Sequence, residues 1–327
     1  LVQKNTLESL DDYITDAGIN LADFNGITDQ VTVDGSLYEL PFRSDYWLIY
    51  YNKDVFDAAG IAYPSNDMTM EDYDALARQL TDTTYGSQVY GCHYHTWRSA
   101  VELFGILDGK HSILDGNYDW MIPYYDMILS EEDDGVCQTY TDLSTEGLHY
   151  SAAFSNGNVA MMNMGSWFIS TLISNLDSGE YDSSLCGNWG IASYPHPDGA
   201  EAGSTIATIT GLAVTSASAN KDAAFDFVNW VSGTEGAKVM ASTGNFPAIM
   251  TDDVINTIAG MAGFPTDESS KEALNITNAY LEVPYAENVS EINSILDTYH
   301  TSIMNREVTV EEGVASMNEQ VGKILNQ

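Results

Sequence analysis

Tyr38-Glu39-Leu40-Pro41-Phe42-Arg43-Ser44-Asp45-Tyr46-Trp47-Leu48-Ile49-Tyr50-Tyr51-Asn52-Lys53 is the stretch on which the fold turns. A strand with one wet face alternates polar and apolar residues, and Tyr46 to Tyr51 shows no alternation at all, so it predicts a strand covered on both faces. Just upstream, Pro41 withholds a backbone donor, and Arg43, Ser44 and Asp45 set three polar side chains beside the greasy run. The reading is a buried strand that crosses the molecule and carries a candidate ligand wall at its start.

Composition bounds what surrounds it. At 327 residues the chain is long for a single core, which favours two lobes, and 44% apolar with 18% charged residues marks a globular protein. The 48 acids against 11 bases give a formal charge of -37, which repels phosphate backbones and leaves few cations to contact one, so nucleic acid is excluded as a partner. The acidity itself reads as solubility in an extracellular or salty setting. Cys92, Cys137 and Cys186 lack the Cys-x-x-Cys spacing of zinc and redox motifs. An odd count leaves at least one thiol free, and an exported protein could close one disulfide whose pair the sequence does not choose. No run approaches the roughly 20 apolar residues that cross a bilayer. Neither a cofactor nor a metal is called for.

The rest of the chain alternates strands and helices. Leu7 to Ala17 has helical spacing, Leu21 to Phe24 ends in a turn at Asn25-Gly26, and Val31, Val33 and Leu37 to Leu40 read as short strands about an Asp34-Gly35 hairpin. Thr69 and Asp72 cap a helix to about Leu80. Ser87 to Tyr94 reads as a strand, Ser99 to Leu107 and Leu143 to Ser155 as helices, and Val159 to Met164 as a buried strand. A loop over 195–205 precedes a strand from Thr205 to Thr215. The next helix opens at Asn220 or Lys221, with Ala224, Phe227, Val228 and Val231 facing inward. Thr309 and Glu312 form a capping box for a last helix striped by Val314, Met317, Val321 and Ile324. The succession is α/β.

Tyr51-Asn52-Lys53-Asp54 with Phe56, Ala59-Gly60-Ile61 and Pro64 resembles extracellular solute-binding protein family 1, the maltose-binding-protein-like receptors of ABC importers. Further matches follow in order: Phe154 to Met161 into Gly165-Ser166-Trp167, Trp189 to Pro195, Gly211 to Thr215, Phe227 to Trp230, and Gly244 to Pro247. The resemblance implies a two-lobed, periplasmic-binding-protein-like type II fold with a hinge and an interlobe cleft. Residues 1–45 with 205–260 would form a first lobe that lacks its N-terminal portion, and 46–204 with 261–327 the second. It implies a non-enzymatic, monomeric substrate-binding component, extracellular as a cell-surface lipoprotein or periplasmic, that hands a sugar or oligosaccharide to permease subunits.

Site candidates follow from chemistry and from that resemblance together. An indole offers an apolar plate to the C–H face of a pyranose, and Trp167 stands at a strand-to-helix junction where open α/β folds bind ligands. The resemblance gives it the role of the stacking platform. Asp45 matches an acidic sugar ligand, since a carboxylate accepts two hydroxyls at once. Arg43 could orient a hydroxyl or pair with an acid, and Tyr46 could stack or belong to the core. His95 and Trp97 follow a strand and precede a helix, with Trp97 as a second plate; His93 and His95 share a spacing compatible with metal but lack an evident third ligand. Tyr285 and Glu287 precede a segment where the family carries another stacking Trp and this chain has Asn293. Thr208, Thr210, Asn245 and Phe246 could close from the other lobe. Trp189 and Trp230 read as core. The alternatives are the same fold around a polyamine, iron or a phosphorylated polyol, or a glycoside hydrolase with paired carboxylates.

Overall fold

The computed structural model describes residues 1–24, 26–84 and 86–326, so Asn25 of the expected Asn25-Gly26 turn lies outside the described residues. Six strands make up one sheet: β1 (Leu40–Asn52), β2 (Tyr90–His93), β3 (Val159–Gly165), β4 (Trp189–Ser193), β5 (Thr205–Leu212) and β6 (Ala279–Leu281), in the order β2-β3-β1-β5-β6 with β4 also on β1.

β1 is the spine. From Leu40 to Tyr46 it pairs antiparallel with β5, and from Trp47 onward it pairs antiparallel with β3 and with β4. Its first half is bonded on its other edge by the 246–248 segment, through Ser44 N–H to the Phe246 carbonyl (3.1 Å) and Ala248 N–H to the Phe42 carbonyl (3.0 Å). Pro41 is tolerated in this paired strand because the register breaks between it and Arg43. The strand therefore starts earlier than its apolar run, and Arg43, Ser44 and Asp45 are strand residues rather than a loop rim.

Two hydrophobic cores lie on opposite faces of β1. Trp47, Ile49 and Tyr51 enter one with helices Met70–Leu80, Ser99–Ile106, Ile122–Asp133, Val289–Met304 and Val310–Leu325. Tyr46, Leu48 and Tyr50 enter the other with Trp167–Ser178, Lys221–Ser232, Thr234–Ala241 and Asp252–Ala259. The period of two divides the run between the cores, which is why every residue of it can be apolar.

Several expectations change. Leu143–Ser155 is two helices, Tyr140–Glu146 and Tyr150–Ser155, because Gly147 takes φ 63° at the end of the first and an amide-accepting His149 caps the second. Val33 and Ser36 form only an isolated bridge around Asp34 and Gly35, whose positive φ values fit a tight turn, and the flanking strands do not extend. In Lys221–Ser232 the buried positions are Phe225, Val228 and Ser232, whereas Phe227 is 61% and Trp230 52% exposed. Trp189 is core and Trp230 is not. The capping boxes at Thr69/Asp72 and Thr309/Glu312 are present, and the last helix buries Val314, Met317, Val321 and Ile324. No helix is long and apolar enough to cross a membrane among the described residues.

Candidate functional site

Three indoles meet where the middle of β1 lies beside the end of β3, with the connection after β2 close by. Trp47 comes from β1, Trp97 from the connection after β2, and Trp167 from the first turn of the helix that follows β3. Ring centroids stand 5.5 Å apart for Trp47 and Trp167, 6.3 Å for Trp47 and Trp97, and 6.3 Å for Trp97 and Trp167. Gly165 makes this possible: a Cβ there would fall 2.1 Å from the Trp167 ring. The Trp167 Nε1–H donates to Tyr150 Oη at 3.2 Å, which fixes the plane of the indole. Behind Trp97 stand His95 (4.6 Å) and Tyr150 (5.7 Å), and His149 packs on both of them.

The three indoles line a cleft of about 380 Å³ together with polar side chains, among them Thr96, Arg98, Ser99, Glu102, Thr208, Glu282, Asn293, Asp297 and Thr301. Arg98 organises the floor. Its Nε lies 2.5 Å from Glu102, Nη1 reaches Asp297 at 2.5 Å and the Asn293 carbonyl at 3.0 Å, and Nη2 bonds the Asn293 side chain. Burial raises the Glu102 carboxyl, opposed by the adjacent guanidinium. Beneath, His300 is buried and hydrogen-bonded to Tyr125 Oη (3.0 Å), and burial with the Arg98 charge holds its imidazole down to about 3. Glu282 accepts from Ser99 Oγ (2.6 Å) and Thr208 Oγ1 (2.9 Å), tying the Ser99–Ile106 helix to β5. Thr208, Glu282 and Val283 also line a neighbouring cavity of about 620 Å³ formed with residues 284–291 and the first residues of the chain. We assign the site to the smaller cleft, because it alone combines the indoles with a charged floor.

The sequence candidates divide accordingly. Trp167 and Trp97 line the cleft. His95 stands one layer behind it, its imidazole held down to about 4 by burial and by His149. Asp45 points into the protein: it pairs with Arg43 at 2.6 Å and accepts from Ser166 Oγ at 2.9 Å, while burial raises its carboxyl. Asp45 and Arg43 thus brace the strand junction. Tyr46 is core, edge-on to Phe246. Thr210 is exposed on β5 opposite Arg43, and it is Thr208, two residues earlier, that reaches the cleft. Asn245 bonds Thr243 within its own turn. Tyr285 and Glu287 line the neighbouring cavity, with Tyr285 Oη donating to Glu39 at 2.8 Å. Sequence reasoning missed Trp47, hidden in an apolar run, and Glu282 and Asp297, indistinguishable among 48 acids.

A sequence model of the bacterial extracellular solute-binding protein family matches residues 1–238. No curated protein matches. Among solved structures, a sugar transporter protein from Rhizobium etli in an open conformation is 46% identical, with a TM-score of 0.92 over 98% of this chain and 81% of its own. An ABC substrate-binding protein from Listeria monocytogenes in complex with cycloalternan is 22% identical, with a TM-score of 0.81 over 99% and 81%. A sugar-binding protein from Xanthomonas citri is 19% identical, with a TM-score of 0.76 over 100% and 80%. The last two share the fold.

Proposed function

Because the chain belongs to the bacterial extracellular solute-binding protein family, we propose that it is the substrate-binding component of an ABC importer and captures a sugar or oligosaccharide against the indoles of Trp97 and Trp167, which the buried Trp47 backs edge-on. The observation that carries this reading is the cleft itself, lined by indoles together with polar side chains. Pyranose rings present apolar faces to indoles and hydroxyl rims to carboxylates, amides and hydroxyls. Glu282, Asp297, Asn293, Thr208 and Thr301 supply those partners. The sugars named for the Listeria relative and others of this fold are consistent with the class.

The lobes divide at the point where β1 changes partners, giving 1–45 with 205–260 and 46–204 with 261–327. Closure about this waist removes the ligand from water, and the ligand favours the closed form by the contacts it makes only there. The sugar leaves chemically unaltered for the permease, and the protein works outside the membrane, by lipid anchor or free in the periplasm. Arg98 bears on the alternatives. Its donors are taken by Glu102, Asp297 and Asn293, so it has no open fork for phosphate, which disfavours a phosphorylated polyol.

Thermal denaturation against a panel of oligosaccharides, polyamines and phosphorylated polyols tests the class, since a ligand raises the midpoint by mass action. A sugar is expected to shift it, and Trp167→Ala to weaken that sugar by roughly ten-fold or more, about 1.4 kcal/mol, with the fold intact. A shift with polyamine alone would replace the carbohydrate reading.

A further inference from the structure

Away from the cleft, helix Ile122–Asp133 ends in a Schellman motif: Gly135 takes φ 70°, Val136 N–H bonds the Glu131 carbonyl (2.8 Å), and Gly135 N–H bonds that of Glu132 (3.1 Å). This reversal brings Cys137 back beside Glu131. The chain then passes the outer edge of β2, where Cys92 N–H bonds the Val136 carbonyl at 3.4 Å. Three side chains from three places in the sequence converge as a result. The Cys92 and Cys137 sulfurs and a Glu131 carboxylate oxygen all lie within 4.8 Å of one another.

Glu131 is 0% exposed, and neither of its carboxylate oxygens makes a hydrogen bond of good geometry, although the Tyr94 hydroxyl and the Asp74 carboxyl face it. Tyr94 Oη, which likewise makes no hydrogen bond of good geometry, faces both Cys92 and Glu131. A fully buried carboxyl whose hydrogen bonds are so poorly formed calls for an explanation such as an ion. Two thiols cannot supply a strong donor. A cation can satisfy all three groups together.

We propose that Cys92, Cys137 and Glu131 form a buried binding site for a thiophilic divalent cation of the zinc class. Thiolate sulfurs select soft metals over calcium or magnesium, and two sulfurs with one carboxylate oxygen form three corners of a tetrahedron whose edges are about 3.8 Å for Zn–S bonds of about 2.3 Å. Tyr94 Oη, which faces two of the three groups, is the candidate for the fourth corner. Binding exchanges the two thiol protons and the carboxyl proton for the metal, so charge moves from a neutral triad to a complex of net charge about -1 while three protons leave. The bound cation staples the 136–138 segment to the exposed edge of β2, the strand that leads directly to His95 and Trp97. Because the site is closed to solvent, the metal enters during folding and not afterwards.

The test is to unfold the full chain with reductant and chelator, refold it with or without zinc, and measure retained metal and thermal midpoint after desalting. About one zinc per chain and a raised midpoint are expected for the wild type and for Cys186→Ser, whose thiol lies elsewhere and touches the Asp182 carbonyl. Cys92→Ser and Cys137→Ser should lose the metal. Glu131→Gln, which keeps the volume, should fold and bind zinc roughly ten-fold or more weakly in competition with a chromophoric chelator. Zinc retention below a tenth of an equivalent in the wild type, unchanged retention in Cys92→Ser, or an unchanged chelator competition in Glu131→Gln would overturn the proposal. So would a count of one thiol instead of three in the unreduced, unfolded protein, which would assign the pair to a disulfide.

Discussion

Arg98 and Glu102 are buried to 5% and 1% exposure, one turn apart on the cleft floor. A paired buried charge contributes little beyond an apolar pair of the same shape, but one left alone is costly. Arg98→Met is therefore expected to destabilise the protein by roughly 3–5 kcal/mol in denaturant titration, with most of that recovered on adding Glu102→Leu. A single variant as stable as the wild type would show that the pair is not what fixes the floor. His300 gives a second, pH-dependent outcome. Its folded value is depressed from 6.5 to about 3, so between those values the unfolded chain takes up a proton that the folded chain refuses. The stability this group contributes is present above 6.5 and is lost as pH falls toward 3. His300→Gln should thus lose less midpoint than the wild type between pH 7 and pH 4.5, the difference isolating this group from the 48 acids; parallel losses would refute it. Of the lining of the candidate cleft, the sequence carries Trp167 and Trp97, because a bulky aromatic at a strand-to-helix junction is distinctive. It does not carry the role of Asp45, since a carboxylate that caps, pairs or binds is written with the same letter. Only the strand register turns Asp45 toward Arg43 and Ser166.

Elements are legible where local chemistry decides them. The helix Met70–Leu80 is written by its capping box, and β1 by a run that tolerates no wet face. They are misread where long-range packing chooses among faces: nothing local distinguishes Phe225 from Phe227 in Lys221–Ser232, and the sheet takes the first. The split at Gly147 turns on one residue that can adopt a left-handed φ, inside a segment whose pattern otherwise reads through. The β3-to-helix junction makes a prediction of its own. Because a Cβ on Gly165 would meet the Trp167 ring at 2.1 Å and Gly165 pairs with Trp47, Gly165→Ala should displace the indole. Its expected signature is a shifted tryptophan emission and weakened sugar binding, with far-ultraviolet circular dichroism preserved. Unchanged emission and affinity would mean that the wall does not depend on this close approach.

At the scale of the molecule, β1 accounts for both the cores and the cleft. One strand feeds apolar side chains to two opposite cores and changes its pairing partners between Tyr46 and Trp47, and the cleft lies beside that change. Glu282, bonded to Ser99 on one side and Thr208 on the other, spans the same gap. The two-lobed architecture was legible because the ordered matches run along nearly the whole chain. The lining of the candidate cleft was not, because it is assembled from segments as far apart as Trp47 and Asp297. The central claim is that the Trp97 and Trp167 indoles and the Arg98-centred floor bind a carbohydrate and return it unchanged. Isothermal titration of the wild type, Trp97→Ala and Trp167→Ala with an oligosaccharide that raises the thermal midpoint, followed by recovery of the sugar, measures this directly. The account predicts one site in the wild type, affinity reduced roughly ten-fold or more in each variant, and intact sugar recovered. Equal affinity in all three proteins, or a cleaved saccharide, would contradict it.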